Sequence, residues 1–170
     1  MTAPSRDWPA LDAIPEGYYA VLDPADPDRM SYWRRVHTPR QNALKAWPAS
    51  AWYGPPTPRR KDVPTERIDR EAFIGEWTKT RRAYLDQVVA AITASPETAA
   101  GCFARFCIRC WSCGRPLHDE TSKTLGIGPE CRGGMDPAAL ARYCTPEVAR
   151  IHAEHLAARG LPRDDVKGAP

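Results

Sequence analysis

Residues 110–131 read CWSCGRPLHDETSKTLGIGPEC. Cys110 and Cys113 form a C-x-x-C pair followed by Gly114, and Cys131 follows a Gly126-Ile127-Gly128-Pro129 run. A C-x-x-C-Gly unit turns tightly enough to aim two sulfurs and nearby backbone N–H groups at one metal ion. Pro116-Leu117 is expected to begin a small hairpin. Gly128-Pro129 suits the start of a helix, where the helix dipole is expected to favour the Cys131 thiolate. Knuckle, hairpin, then a sulfur on a helix start is the plan of a treble-clef zinc finger. A structural zinc takes four protein ligands, and this stretch supplies three cysteines. Cys107, three residues before the knuckle, is the favoured fourth ligand; His118, Cys144 and a water are the alternatives. An open fourth position would make the site a candidate catalytic one.

The competing explanations for the cysteines are weaker. Buried thiols need no such spacing, and no βαβ pattern surrounds the pair as in a thioredoxin-like redox centre. The N-terminus, MTAPSRDWPALDAIPEG, has no basic start followed by an apolar core, and no apolar run approaches the ~20 residues of a membrane span. A cytoplasmic protein without membrane contact is expected, in which five cysteines between 102 and 131 serve metal binding rather than disulfides.

Outward from the motif, the segment also resembles a family. Cys110-x-x-Cys113-Gly-Arg-Pro-Leu117, Asp119, Ser122 and Gly126-Ile127-Gly128-Pro129-x-Cys131 are similar to the motif of a small uncharacterised domain of actinobacteria and their bacteriophages. VVAAITASPETAAGCF (88–103) is similar to the helix and turn before that motif, with Ser95 in place of an aspartate, and GYYAV resembles its first strand. His118 stands where a threonine is expected. The resemblance is specific over 88–131 and loose over 17–87, and it implies zinc binding without an assigned activity.

The fold class expected is α+β. GYYAVLD (17–23) and SYWRRVH (31–37) alternate as strands around the turn-forming PADPDR, giving a β-hairpin in which Tyr18, Ala20 and Leu22 share one face of the first strand and Tyr32, Arg34 and Val36 share one face of the second. Eleven of the 18 prolines fall in the first 64 residues, so residues 1–64 form a Pro-rich, β-containing region, with one further short strand possible after 38. Residues 65–106 turn helical. Thr65 is the expected cap of a helix whose Ile68, Phe73, Trp77, Tyr84, Leu85, Val88, Val89 and Ile92 form an apolar stripe. Ser95-Pro96 starts a second helix through about Phe106. A zinc module follows at 107–135. Asp136-Pro137 and Thr145-Pro146 open two C-terminal helices over 136–160, ended by Gly160, and 161–170 is a tail.

The net charge of +3 conceals an asymmetry. Residues 1–28 carry one base and six acids, whereas 29–61 carry eight bases and no acid. Those bases interleave with Tyr32, Trp33, Trp47, Trp52 and Tyr53. Arg and Lys neutralise phosphates while exposed aromatics stack on bases, so this stretch points to DNA or RNA binding. Arg34, Arg35, Arg59, Arg60 and Lys61 are the expected phosphate contacts and Trp33 and Trp52 the stacking rings; Arg105, Arg109, Arg115, Lys123 and Arg132 would extend the surface around the zinc. The alternative is a protein–protein adaptor or inhibitor, phage- or host-encoded, that occupies a host protein. Enzyme signatures are missing: there is no phosphate loop and no H-x-E with P-C-x-x-C. His152 and His155 are expected on a polar helix face.

Overall fold

The computed structural model describes residues 10–160. The first residues of the acidic segment and the 161–170 tail lie outside them. The architecture is α+β: a three-stranded antiparallel sheet in the order β1-β2-β3, followed by helices. The strands are β1 (Gly17–Asp23), β2 (Asp26–Thr38) and β3 (Gln41–Ala46). The expected hairpin is present with Tyr18 opposite Arg34 and Ala20 opposite Tyr32. β2 is longer than its apolar pattern suggests, starting at Asp26, so that only Pro24-Ala25 turns. The second hairpin sets Arg34 opposite Lys45 and Trp33 opposite Ala46.

Because side chains alternate across a pleated strand, neighbouring residues of β2 serve opposite layers. Trp33 is 1% exposed and packs between Tyr53 and Tyr84, its Nε1–H donating to Ser31. On the other face Phe103 stacks on Tyr18 at 5.1 Å and meets Tyr32 and Trp47 edge-on. One core runs through sheet, helices and cysteine segment.

Helix α1 (Arg67–Ala94) begins after Glu66 rather than Thr65, and no side chain caps it. Its buried residues are Tyr84, Val88 and Ile92. The upstream part of the expected stripe is only partly covered: Phe73 and Trp77 are half-buried, Ile68 is 72% exposed, and Ile74 beside the stripe is 40% exposed. The reason is length. A helix of 28 residues extends about 42 Å, whereas β1, the strand it packs against, has seven residues and spans about 23 Å, so β1 cannot cover it all. Trp77 and Arg81 donate instead to the carbonyls of Pro56 and Tyr53 in the proline-rich loop.

Helix α2 (Pro96–Cys107) starts at the expected cap, Ser95 accepting from the Thr98 N–H, and ends where Ile108 takes a left-handed φ of 53°. After the cysteine knuckle come α3 (Glu120–Leu125), α4 (Pro129–Arg132), α5 (Pro137–Ala141) and α6 (Pro146–Ala158). Asp119, Asp136 and Thr145 cap α3, α5 and α6, and Gly160 follows with the left-handed φ expected of a helix stop. No helix among the described residues is long and apolar enough to cross a membrane.

Candidate metal centre

The end of α2 is the first determinant of the site. Ile108 in the left-handed region turns the chain out of the helix, and Arg109 and Pro116 then bridge as the two sides of a narrow loop. Cys110 N–H donates to Arg115 O at 2.8 Å, Gly114 N–H to Cys110 O at 2.8 Å, and Leu117 N–H to Ile108 O at 3.0 Å. Pro116-Leu117 therefore closes the loop rather than beginning a hairpin. A two-sided approach requires Gly114: its φ is 76°, and a Cβ would stand 2.6 Å from Tyr18 Cζ. Tyr18 N–H also donates to Trp111 O at 2.7 Å, which ties β1 to the knuckle.

Gly126 brings the chain back. Its φ is 71°, and a Cβ there would meet Ala104 at 2.7 Å. Trp111 N–H donates to Gly126 O at 3.0 Å, and the Trp111 ring stacks on Tyr143 at 4.0 Å. α4 then presents Cys131. The sulfurs of Cys110, Cys113 and Cys131 lie within 4.8 Å of one another. Tetrahedral thiolates at about 2.3 Å from a common ion stand roughly 3.8 Å apart, so the three already form one face of a metal site. Cys110 is buried, Cys131 half-buried and Cys113 exposed.

The electrostatics favour a cation there. Burial alone would push the Cys110 thiol up, but the N–H groups of Cys113, Gly128 and Ser112 donate to it and hold it below the ordinary thiol range. Cys131 is pushed up to about 11, by burial first and then by hydrogen bonding to Cys113 and the charge of Cys110. Burial first, and then the two neighbouring sulfurs, outweigh whatever lowering the dipole of the four-residue α4 supplies. Three thiolates this close repel unless a cation sits between them. The donor set thus fits a thiolate-binding metal held by Cys110, Cys113 and Cys131.

Cys107 does not join them. As the last residue of α2 it precedes the left-handed turn, and that turn separates it from the knuckle. Cys107 lies toward Tyr32 and Tyr53 instead, and burial pushes its thiol up to about 12. His118 and Cys144 are exposed and also lie outside the cluster. Among the described residues the cluster has three members.

The basic stretch divides between surface and interior. Arg34, Arg59, Arg60 and Lys61 are exposed, and Trp52 is 48% exposed with Arg81 4.5 Å over its ring. Trp33 and Arg35 must be withdrawn as contact residues, both being 1% exposed. The Arg35 guanidinium donates to Val36 O and Leu11 O, while its Nε has no partner. Pleat alternation puts Arg34 outside and Arg35 inside. Around the knuckle, Arg115 pairs with Glu130 at 2.7 Å, Lys123 with Glu120 at 3.8 Å, and Arg132 donates to Ser122 and Ile127. Arg109 lies 5.7 Å over Trp47, and Arg34 5.5 Å over Tyr18.

His152 and His155 are not on a polar face. They are 6% and 7% exposed, and each meets the Phe106 ring edge-on at 4.9 Å. Burial, reinforced by Arg105 and His155, lowers His152 to about 4. Their three-residue spacing matched Phe106, whose position the helix period alone could not supply.

The comparisons with known proteins meet this geometry at one place. The model of a family of unknown function, DUF6011, matches residues 103–136, which takes in the end of α2, the knuckle, α3 and α4. No curated protein and no solved structure matches the chain. The family match covers all three clustered cysteines and leaves the sheet and α1 outside it.

Proposed function

We propose that the protein binds one zinc ion in a treble-clef-like module, and that this module and the sheet together present a basic surface to DNA or RNA. Zinc is the metal that suits a reduced, sulfur-only donor set of this spacing, and such a site belongs in a reducing compartment such as the cytoplasm. Its role is structural: the knuckle is hydrogen-bonded to β1, and its Trp111 and Leu117 belong to the common core. A fourth protein ligand from outside the cluster completes the coordination of a structural site.

The observation that carries the nucleic-acid reading is the state of the bases between 29 and 61. Seven of the eight are exposed, and among the described residues none has an acidic partner, all ion pairs falling at residue 67 or beyond. Solvated, uncompensated bases on a rigid sheet attract phosphates and release counterions on contact. Arg34 and Lys45 face the same side of the sheet as Tyr18, and Arg109 joins them over Trp47, so the strip reaches the knuckle. Arg59, Arg60 and Lys61 form a second group.

Electrophoretic mobility shift against single- and double-stranded DNA and RNA over a range of salt tests this reading. Affinity is expected to fall steeply as salt rises; no binding at low salt would remove it. One observation favours a protein partner instead. The exposed Ile68 and Ile74 on the partly covered half of α1 suit an adaptor, and a nuclease-resistant single partner in a lysate pulldown would support it.

A further inference from the structure

At the end of the sheet away from the β2–β3 turn, the start of β2 and the end of α6 enclose a cleft of about 310 Å³. Its polar lining is Asp28, Arg29, Tyr32, Tyr53, His155 and Arg159. The composition is dominated by donors. Arg29 lies 5.6 Å from the centre of the Tyr53 ring, which holds its guanidinium against the wall. Among the described residues neither Arg29 nor Arg159 has an ion-pair partner. The Tyr32 hydroxyl makes no hydrogen bond to a described residue, although the ring is largely buried. Tyr53 OH is already engaged, donating to Trp47 O at 3.0 Å, and serves as wall rather than as donor. Asp28 is the one acid present, and it is exposed at the rim.

Two guanidiniums that share a small cleft with a single carboxylate leave it electropositive. The carbonyls at the end of α6 offset part of this, and Arg159, as the capping residue, lies where it counters them. A planar guanidinium fork matches an oxyanion bidentately, and phenol and imidazole N–H or O–H groups supply further donors to the remaining oxygens. We propose that this cleft is an oxyanion site that takes a phosphate group. The proposal does not depend on the basic strip described above, because a free phosphate or phosphomonoester would suffice; the terminal phosphate of a nucleic acid is the other source of the same chemistry.

The test is an NMR titration of the full-length, metal-loaded protein with inorganic phosphate, chloride holding the ionic strength constant. Saturable shifts are expected at the Arg29 and Arg159 side-chain N–H groups and at the His155 ring. The double variant Arg29→Gln/Arg159→Gln should weaken the apparent affinity at least about tenfold, two charge-assisted contacts being removed. Both arginines are exposed, so the variant should keep the wild-type melting curve. No saturable shift, or an unchanged affinity in the variant, overturns the proposal. A second arm compares a 5′-phosphorylated oligonucleotide with its unphosphorylated form. A preference for the phosphorylated form that is lost in the double variant identifies a nucleic-acid end as the source, and no preference beside a positive phosphate titration identifies a free phosphate compound. Failure of every oligonucleotide to bind would remove the nucleic-acid function and leave this site standing.

Discussion

The cysteine segment and the basic stretch hold similar kinds of information in sequence and yield it differently. In the segment from 107 to 131, the chain returns on itself within a few residues, and Gly114 and Gly126 allow the close approaches that bring Cys110, Cys113 and Cys131 together. Spacing is then nearly geometry. In the stretch from 29 to 61, eight bases and five aromatics occupy a strand pair and a loop, where adjacent residues face opposite layers. Composition there says what is present, and only the pleat and the packing partners say what is exposed. Local motifs carry their own geometry; surface patches borrow theirs from the rest of the fold.

The largest effect should come from the metal. Structural zinc sites contribute on the order of 10 kcal/mol to folding in small modules. Verified metal removal by a chelator should lower the melting temperature by more than about 10 °C. Because Tyr18 is bonded to Trp111 and seated against Gly114, the loss should reach the sheet as well as the C-terminal helices, as amide exchange would report. An unchanged midpoint would show that the knuckle holds itself together without a cation.

Next in size is the contrast between two tryptophans of the basic stretch. Trp33→Ala opens a cavity between Tyr53 and Tyr84 and should cost about 3–5 kcal/mol in denaturant unfolding. Trp52→Ala removes a half-exposed ring and one cation–π contact and should cost below about 1 kcal/mol. Equal costs would erase the distinction between interior and surface drawn here.

The two neighbouring arginines sharpen it further. Arg34→Ala should flatten the slope of log affinity against log salt by about 0.7–0.9, one phosphate contact being lost. Arg35→Met should leave that slope unchanged, since the guanidinium is 1% exposed. A matching change in both variants would contradict the assignment of faces.

A smaller, pH-dependent effect belongs to α6. Burial lowers His152 to about 4 from an ordinary value of 6.5. The unfolded chain therefore takes up a proton that the folded one refuses. Stability contributed by the neutral ring is complete above about pH 6.5 and is lost as pH falls toward 4. The difference in unfolding free energy between wild type and His152→Gln should shrink over that window; a constant difference would place the imidazole in water.

The sequence made much of the fold legible. Alternation marked β1 and β2, and Ser95-Pro96, Asp136-Pro137 and Thr145-Pro146 marked three helix starts. It did not show that α1 outruns β1, the strand it packs on, because an apolar stripe records which face could be buried and not how much partner surface exists to bury it. The candidate metal centre was legible in three of its residues. Cys107 was misplaced because one left-handed residue, Ile108, redirects the chain between it and the knuckle, and a β-branched residue gives no warning of that conformation. Arg35 and Trp33 were misplaced for the reason already given: a stretch counted by charge has no faces.

The central claim is that three sulfurs hold a metal ion and that Cys107 is not among them. X-ray absorption at the metal edge, on full-length wild type and on Cys107→Ser, tests it most directly. The account predicts about one metal per chain in both proteins, with three sulfur neighbours at about 2.3 Å. A protein purified without metal, or a fourth sulfur that disappears with the Cys107→Ser change, would contradict it.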